Sequence, residues 1–122
     1  MAKIVIIDDS ESLRVQLKKI LVTAGHSVVE GHDGKHGLDV LKANSDAKLI
    51  ICDVNMPNMD GITMCNKVKE DALLSKIPIF MLTTESSDDL KEKGKKVGVK
   101  AWVSKPFDDS KLLGAVAKIL SM

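Results

Sequence analysis

The stretch Ile4-Val5-Ile6-Ile7 is a run of β-branched apolar residues, and it ends in two adjacent carboxylates, Asp8 and Asp9. Two unit charges about 5 Å apart repel by ~3 kcal/mol at an effective dielectric of ~20. Three further apolar runs also close on residues able to do chemistry. Leu49-Ile50-Ile51-Cys52 leads to Asp53, Phe80-Met81-Leu82 to Thr83, and Trp102-Val103-Ser104 to Lys105. If one crevice collects Asp8, Asp9 and Asp53, the single ammonium of Lys105 does not offset all the repulsion. A divalent cation does, and hard oxygen donors argue against a soft metal. Mg²⁺ takes one or two carboxylates and fills its remaining positions with water and phosphate oxygens. Asp53 then has work as a nucleophile, because a carboxylate can carry a phosphoryl group as an acyl phosphate. Phosphoryl transfer needs mainly alignment and neutralisation of charge. Mg²⁺ and Lys105 would neutralise, and the Thr83 hydroxyl would hydrogen-bond a phosphoryl oxygen. One aspartate after one strand is commonly just a helix cap. The joint occurrence of these residues at four strand ends is what points to chemistry.

Only a fold can bring residues this far apart in sequence together. The apolar runs 4–7, 27–30, 49–52, 78–82 and 100–103 alternate with segments whose apolar residues fall at helical spacing. Leu13, Leu17, Ile20, Leu21 and Ala24 share one face of the first such segment, with Ser10 as N-cap and Gly25 at the C′ position. Gly34 and Gly37 are expected to break up the start of the second helix, which carries Leu38 and Leu41. Asp60 caps a third helix that turns Ile62, Cys65 and Val68 inward. Ser87 caps a fourth, with Asp88 and Asp89 at the positive end of its dipole. Asp108 or Asp109 opens a fifth, striped by Leu112, Val116, Ile119 and Leu120. Strands alternating with helices imply an α/β fold whose parallel sheet is covered on both faces. The expected winding is flavodoxin-like, (βα)5, with strand order 2-1-3-4-5. Its ligand crevice lies beyond the carboxyl ends of strands 1 and 3, where the winding reverses.

Composition narrows the classes. The 122 residues suit one domain, 1–122, and 44% of them are hydrophobic, enough to build a core. A formal net charge of +1 argues against nucleic-acid binding. No apolar run reaches the ~20 residues of a membrane span, and no signal peptide is evident, so the expected setting is cytoplasmic. Cys52 and Cys65 are read as free, buried thiols of a reducing compartment.

With these residues in view, the sequence resembles the receiver domain of bacterial two-component response regulators. The carriers are the acidic pair in IIDDS, the acceptor region DVNMPNMDG (53–61), the Thr83-Thr84 pair and the triplet Lys105-Pro106-Phe107. The resemblance spans essentially the whole chain and is of the single-domain chemotaxis type. The expected strand order is known for that family too, so it is not an independent derivation. The resemblance implies that Asp53 is the phosphoacceptor, taking phosphate from a histidine of a partner kinase. It assigns Mg²⁺ to Asp9, Asp53 and the backbone carbonyl of Asn55, with Asp8 acting through a bound water. Lys105 pairs with the phosphoryl group, and the Lys105–Pro106 bond is cis. Asn55 and Glu85 match the positions that tune hydrolysis, with the identities of a quickly self-resetting regulator. The implied product is a signalling switch rather than an enzyme, catalysing only its own phosphorylation and dephosphorylation. It is a monomer, with a kinase and a flagellar motor switch protein or a phosphatase as partners.

Two positions depart from the family pattern. Its switch aromatic is usually Tyr or Phe and here is Trp102; the residue after Thr83 is often Ala and here is Thr84. Both changes are expected to crowd the space into which the aromatic turns. The expected output face is the fourth helix, fifth strand and fifth helix. Its segment 90–100 carries five lysines, two glycines and few apolar anchors. That is read either as a mobile readout element or as a solvated basic face. His32 and His36 stand four apart, but Gly34 between them weakens a metal role. Three other functions fit the architecture: a phosphate sink without motor output, a flavin mononucleotide electron carrier, and a Mg²⁺-dependent aspartyl phosphatase. The carrier would need a phosphate loop where IIDDS stands, and those carboxylates repel phosphate. The phosphatase would place its nucleophile on strand 1.

Overall fold

The computed structural model describes residues 2–122. The elements, in chain order, are β1 (Lys3–Ile7), α1 (Glu11–Thr23), β2 (Ser27–Gly31), α2 (Gly34–Ala43) and β3 (Leu49–Cys52). They continue with α3 (Gly61–Glu70), β4 (Ile79–Thr83), α4 (Asp88–Lys96), β5 (Val99–Ser104) and α5 (Asp109–Leu120). The five strands form one sheet in the order β2-β1-β3-β4-β5. Every neighbouring pair is parallel. This is the expected winding.

The three central strands are buried on both sides because each supplies apolar residues to both faces. Val5, Ile7, Ile50, Cys52, Ile79 and Met81 meet α2 and α3 through Leu38, Leu41, Met64, Cys65 and Val68. Ile4, Ile6, Leu49, Ile51, Phe80 and Leu82 meet α1 and α5 through Leu17, Leu21, Leu112 and Val116. This period-2 division leaves no polar face to the central strands, and the tips are the only places where they reach water.

The expected caps form. Ser10, Asp60, Ser87 and Asp108 each accept a backbone N–H three residues on. Gly25 ends α1 at φ +99°. The start of α2 differs from expectation: Gly34 and Gly37 both lie inside a regular helix capped by Asp33. They are close-approach residues instead. A Cβ on Gly34 would run into the Met59 carbonyl, and one on Gly37 would stand 2.8 Å from Ile7 Cδ1. Strand limits shift slightly. β4 includes Thr83, and β5 gains a residue at each end, with its register broken between Ile79 and Phe80 so that Lys100 is bypassed.

Candidate functional site

β1 and β3 are neighbours with Ile7 opposite Cys52, so Asp8 and Asp53 leave the sheet side by side. Backbone bonds fix both tips. The Asp53 N–H donates to the Ile7 carbonyl at 3.1 Å, and the Asp8 N–H to the Gly31 carbonyl at 3.1 Å. At the other side of the crevice, the Lys105 N–H donates to the Thr83 carbonyl at 3.0 Å, tying the end of β5 to that of β4. The Lys105–Pro106 peptide bond is cis, as the resemblance implied.

One carboxylate oxygen from each of Asp8, Asp9 and Asp53 lies within 4.8 Å of the others. Asp8 and Asp53 are buried, at 3% and 7% exposure, whereas Asp9 is exposed. Lys105 Nζ bridges the buried pair, 2.8 Å from Asp8 Oδ2 and 2.9 Å from Asp53 Oδ2. Asp8 Oδ1 accepts the Ser10 N–H at 2.9 Å, and Asp53 Oδ1 accepts the Val54 N–H at 2.6 Å. Burial pushes the Asp8 carboxyl above the usual carboxylate range, against the opposing pull of the Lys105 and Ser10 hydrogen bonds. Burial also pulls on the Lys105 ammonium, in the direction of a lower value. Its bonds to Asp8 and Asp53 outweigh that, and the group is held above its ordinary value. One lysine therefore balances two carboxylates, and the third faces water without a salt-bridge partner among the described residues. An all-oxygen donor set with surplus negative charge fits a hard divalent cation such as Mg²⁺.

The acceptor loop after β3 is pinned from several sides. The Gly61 N–H donates to the Val54 carbonyl at 2.8 Å, and the Gly61 Cα lies so close to the Asp53 backbone carbonyl that a Cβ has no room. Asn58 adopts φ +68° and donates from Nδ2 to Asp33 Oδ2 at 2.8 Å. Asp33 is thus both the cap of α2 and a clamp on the loop. Its carboxyl is held below the usual range, first by the His36 N–H and then by Asn58. His32 and His36 stack at 4.1 Å between ring centroids. His36 Nδ1 accepts the His32 N–H at 3.1 Å, and His32 Nδ1 lies 3.4 Å from Asp33. The pair serves this turn.

The remaining sequence candidates lie around the rim. Thr83 is buried at the end of β4, and its hydroxyl accepts the Glu85 N–H at 3.2 Å. Asn55 donates from Nδ2 to Glu85 Oε1 at 2.7 Å. Trp102 is half-buried against the α2–α3 core, and its Nε1 donates to the Glu85 carbonyl at 2.8 Å. Thr84 is exposed. Gly94 of α4 leaves room for the Trp102 ring.

Sequence reasoning missed Arg14. It is the only arginine among 18 basic residues. Its Nη1 donates to the Asp8 carbonyl at 2.7 Å while its Nε donates to Glu30 Oε1 at 3.1 Å, clamping the acidic turn from behind. The available signal was that solitary planar fork in a lysine-rich chain, one turn after an acidic pair.

The description "Response regulator receiver domain" matches residues 4–117. The chain belongs to this family. Among its relatives, the chemotaxis protein CheY1 of Helicobacter pylori is 37% identical over 106 residues, covering 86% of each chain. The PilH protein of Pseudomonas aeruginosa is 30% identical over 121 residues, covering 99% of each. The solved structure of the Vibrio cholerae chemotaxis protein CheY4 superposes with a TM-score of 0.91 at 37% identity, covering 98% of both chains. This receiver domain is therefore a two-component signalling module whose relatives include chemotaxis proteins. No helix among its described residues is long and apolar enough to cross a membrane.

Proposed function

We propose that this receiver domain is a phosphorylation switch that accepts a phosphoryl group on Asp53 from a phosphohistidine of a partner kinase. The single observation that carries the reading is the triad of carboxylates within 4.8 Å, two of them bridged by Lys105. Asp53 Oδ2 attacks phosphorus, the P–N bond of the donor breaks, and the histidine nitrogen leaves with the electron pair. Asp53 Oδ1, held by the Val54 N–H, fixes the carboxylate plane so that Oδ2 faces the crevice. Lys105 moves from Asp53 to the incoming phosphoryl oxygens and keeps Asp8 as its second partner. Thr83, whose hydroxyl accepts from Glu85 and keeps its own proton to donate, is a second contact for those oxygens. Asp9, Asp53 and the Asn55 carbonyl would hold Mg²⁺, with Asp8 acting through water. When bound, the ion supplies positive charge against the phosphoryl oxygens. Reset is attack of water on phosphorus, with release of inorganic phosphate and return of the Asp53 carboxylate. Asn55 and Glu85, bonded to each other at the rim, tune that attack.

The output is a change in the α4–β5–α5 face that controls binding to a chemotaxis partner. The reading includes a cytoplasmic setting, consistent with the two buried free thiols. Incubation with acetyl phosphate and Mg²⁺, followed by intact-mass measurement and peptide mapping, tests the core of it. The expected product carries one phosphoryl group on Asp53, chelation of Mg²⁺ prevents its formation, and an Asp53→Asn protein stays unmodified. A label on another residue, or equal labelling in the chelator, would refute the assignment.

A further inference from the structure

Glu85 is held at both ends. Its backbone carbonyl accepts Trp102 Nε1 at 2.8 Å, and its carboxylate accepts Asn55 Nδ2 at 2.7 Å, two residues beyond Asp53. The position of the indole on β5 is therefore tied to the rim of the acceptor site. On another side of the indole stands Gly94, the only buried residue of α4. A Cβ built there would lie 2.8 Å from Trp102 Cζ3, 3.4 Å from Cε3 and 3.5 Å from Val99 Cγ2. Carbon atoms pack at about 3.5–4.0 Å, so the ring or the helix would have to give way.

Nothing else in the structure asks for glycine at this position. Gly94 has no positive φ; only Gly25 and Gly98 do. Within a helix interior glycine is a poor choice compared with alanine, and α4 is already weakly anchored. The local cost is offset by one contact, the room for a six-membered ring eight residues further along. Trp102 carries the largest of the aromatic side chains, so the missing methyl and the large ring complement each other.

We propose that Gly94 is a positioning residue. Its absent side chain is the notch that seats Trp102; through the indole N–H it holds the Glu85 backbone, and it thereby sets how long a phosphoryl group survives on Asp53. The lifetime part of this statement rests on the function proposed above; the seat itself does not.

Four proteins test it: wild type, Gly94→Ala, Trp102→Phe and the double variant. Trp102 is the sole tryptophan, so intrinsic fluorescence of the unphosphorylated protein reads the seat directly. Gly94→Ala is expected to red-shift the emission and to increase quenching by acrylamide, with far-ultraviolet circular dichroism unchanged. Emission and quenching identical to wild type would overturn the seat. Melting gives a second readout. Alanine should raise the melting temperature in the Trp102→Phe background, where only helix propensity counts, and should fail to raise it beside the tryptophan. An equal rise in both backgrounds overturns the proposal. After labelling with acetyl phosphate, Gly94→Ala is expected to slow loss of the phosphoryl group severalfold in the presence of Trp102, and to leave the rate unchanged in the Trp102→Phe background. The same slowing in both backgrounds overturns the route through the indole. A wild-type protein that takes up no phosphoryl group overturns the lifetime part together with the function it rests on, while the fluorescence still decides the seat.

Discussion

Asp9→Ala should stabilise the metal-free protein and destroy its response to Mg²⁺. The Asp9 carboxylate is exposed, makes no salt bridge among the described residues, and has an oxygen within 4.8 Å of oxygens on both Asp8 and Asp53. At that distance each pair repels by ~0.9 kcal/mol in bulk water and ~3.5 kcal/mol at an effective dielectric of ~20. An exposed group looking down at two buried ones sits between these limits, nearer to water, so about 1.5 kcal/mol per pair is reasonable. Two such pairs give about 3 kcal/mol. Attraction to the Lys105 ammonium cancels part of this. So does the favourable place of Asp9 just before the α1 N-terminus, worth roughly 0.3–1 kcal/mol. A net gain of about 1 kcal/mol on removing the charge remains, or about 4 °C in melting temperature for a domain of this size.

Mg²⁺ reverses the ranking, because it binds the folded wild type and stabilises it by mass action. At ten times the dissociation constant the gain is about 1.4 kcal/mol. The assay is urea denaturation of both proteins at neutral pH, once in chelator and once in millimolar Mg²⁺. The expected result is a crossover: Asp9→Ala is the more stable protein in chelator, and only the wild type gains from Mg²⁺. A variant less stable than wild type in chelator would mean that Asp9 contributes a favourable contact and that the surplus-charge account is wrong. Equal gains from Mg²⁺ in the two proteins would remove Asp9 from the metal site.

Three further outcomes are expected. Lys105→Met leaves Asp8 and Asp53 facing each other without a cation; breaking a buried pair of this kind costs about 3 kcal/mol, and denaturation should show that loss in chelator and its partial recovery in Mg²⁺. Gly61→Ala forces a methyl group onto the Asp53 backbone carbonyl; the loop must move, and both melting temperature and the rate of labelling by acetyl phosphate should fall, while Gly114→Ala, which meets nothing within 4 Å, should leave both intact. Asp33 has its carboxyl held low by the His36 N–H and Asn58, so its contribution to stability is present above its unfolded value near 3.8 and is lost as pH falls through the lower folded value. Asp33→Ala should therefore be destabilised at neutral pH, and the difference from wild type, read by denaturation, should narrow below pH 4 (roughly the carboxylate range).

Much of the fold was legible because each level of the sequence agrees with the next. Ile4–Ile7, Leu49–Cys52 and Ile79–Leu82 are apolar without alternation, which in a chain rich in helical spacing means central parallel strands. Ser10, Asp60, Ser87 and Asp108 mark helix starts by local chemistry alone. The charged centre was legible for the same reason: its members stand at strand ends, and strand ends in this winding converge. What escaped depends on distances that no local pattern encodes. Gly34 and Gly37 read as helix breakers because the Met59 carbonyl and the Ile7 side chain, which need their missing Cβ atoms, lie far away in sequence. Arg14 escapes a reading of the sequence because its bond to the Asp8 carbonyl exists only in the fold. The room that Gly94 leaves for the Trp102 ring is likewise a contact between elements that no local pattern shows.

The division between rigid and soft parts follows from the same packing. Asp8 and Asp53 continue strands whose residues Ile4–Ile7 and Leu49–Cys52 are at most 2% exposed. A new charge on Asp53 therefore cannot relax by shifting the sheet; close-packed cores transmit strain rather than absorb it. The neighbours able to respond are those held by few bonds. Glu85 is tied by one bond through Asn55, one through Trp102 and one through Thr83, and in the helix that follows it Gly94 alone is fully buried. On the proposed reading, a Thr83 hydroxyl that moves toward the phosphoryl group to donate its proton draws its oxygen away from the Glu85 N–H it now accepts. Loss of that bond leaves the segment before α4 hanging on Asn55 and Trp102. On that reading the switch needs no motion of the buried strands: rearranging the contacts of one rim residue would carry the change from the carboxylates to the lysine-rich surface of α4.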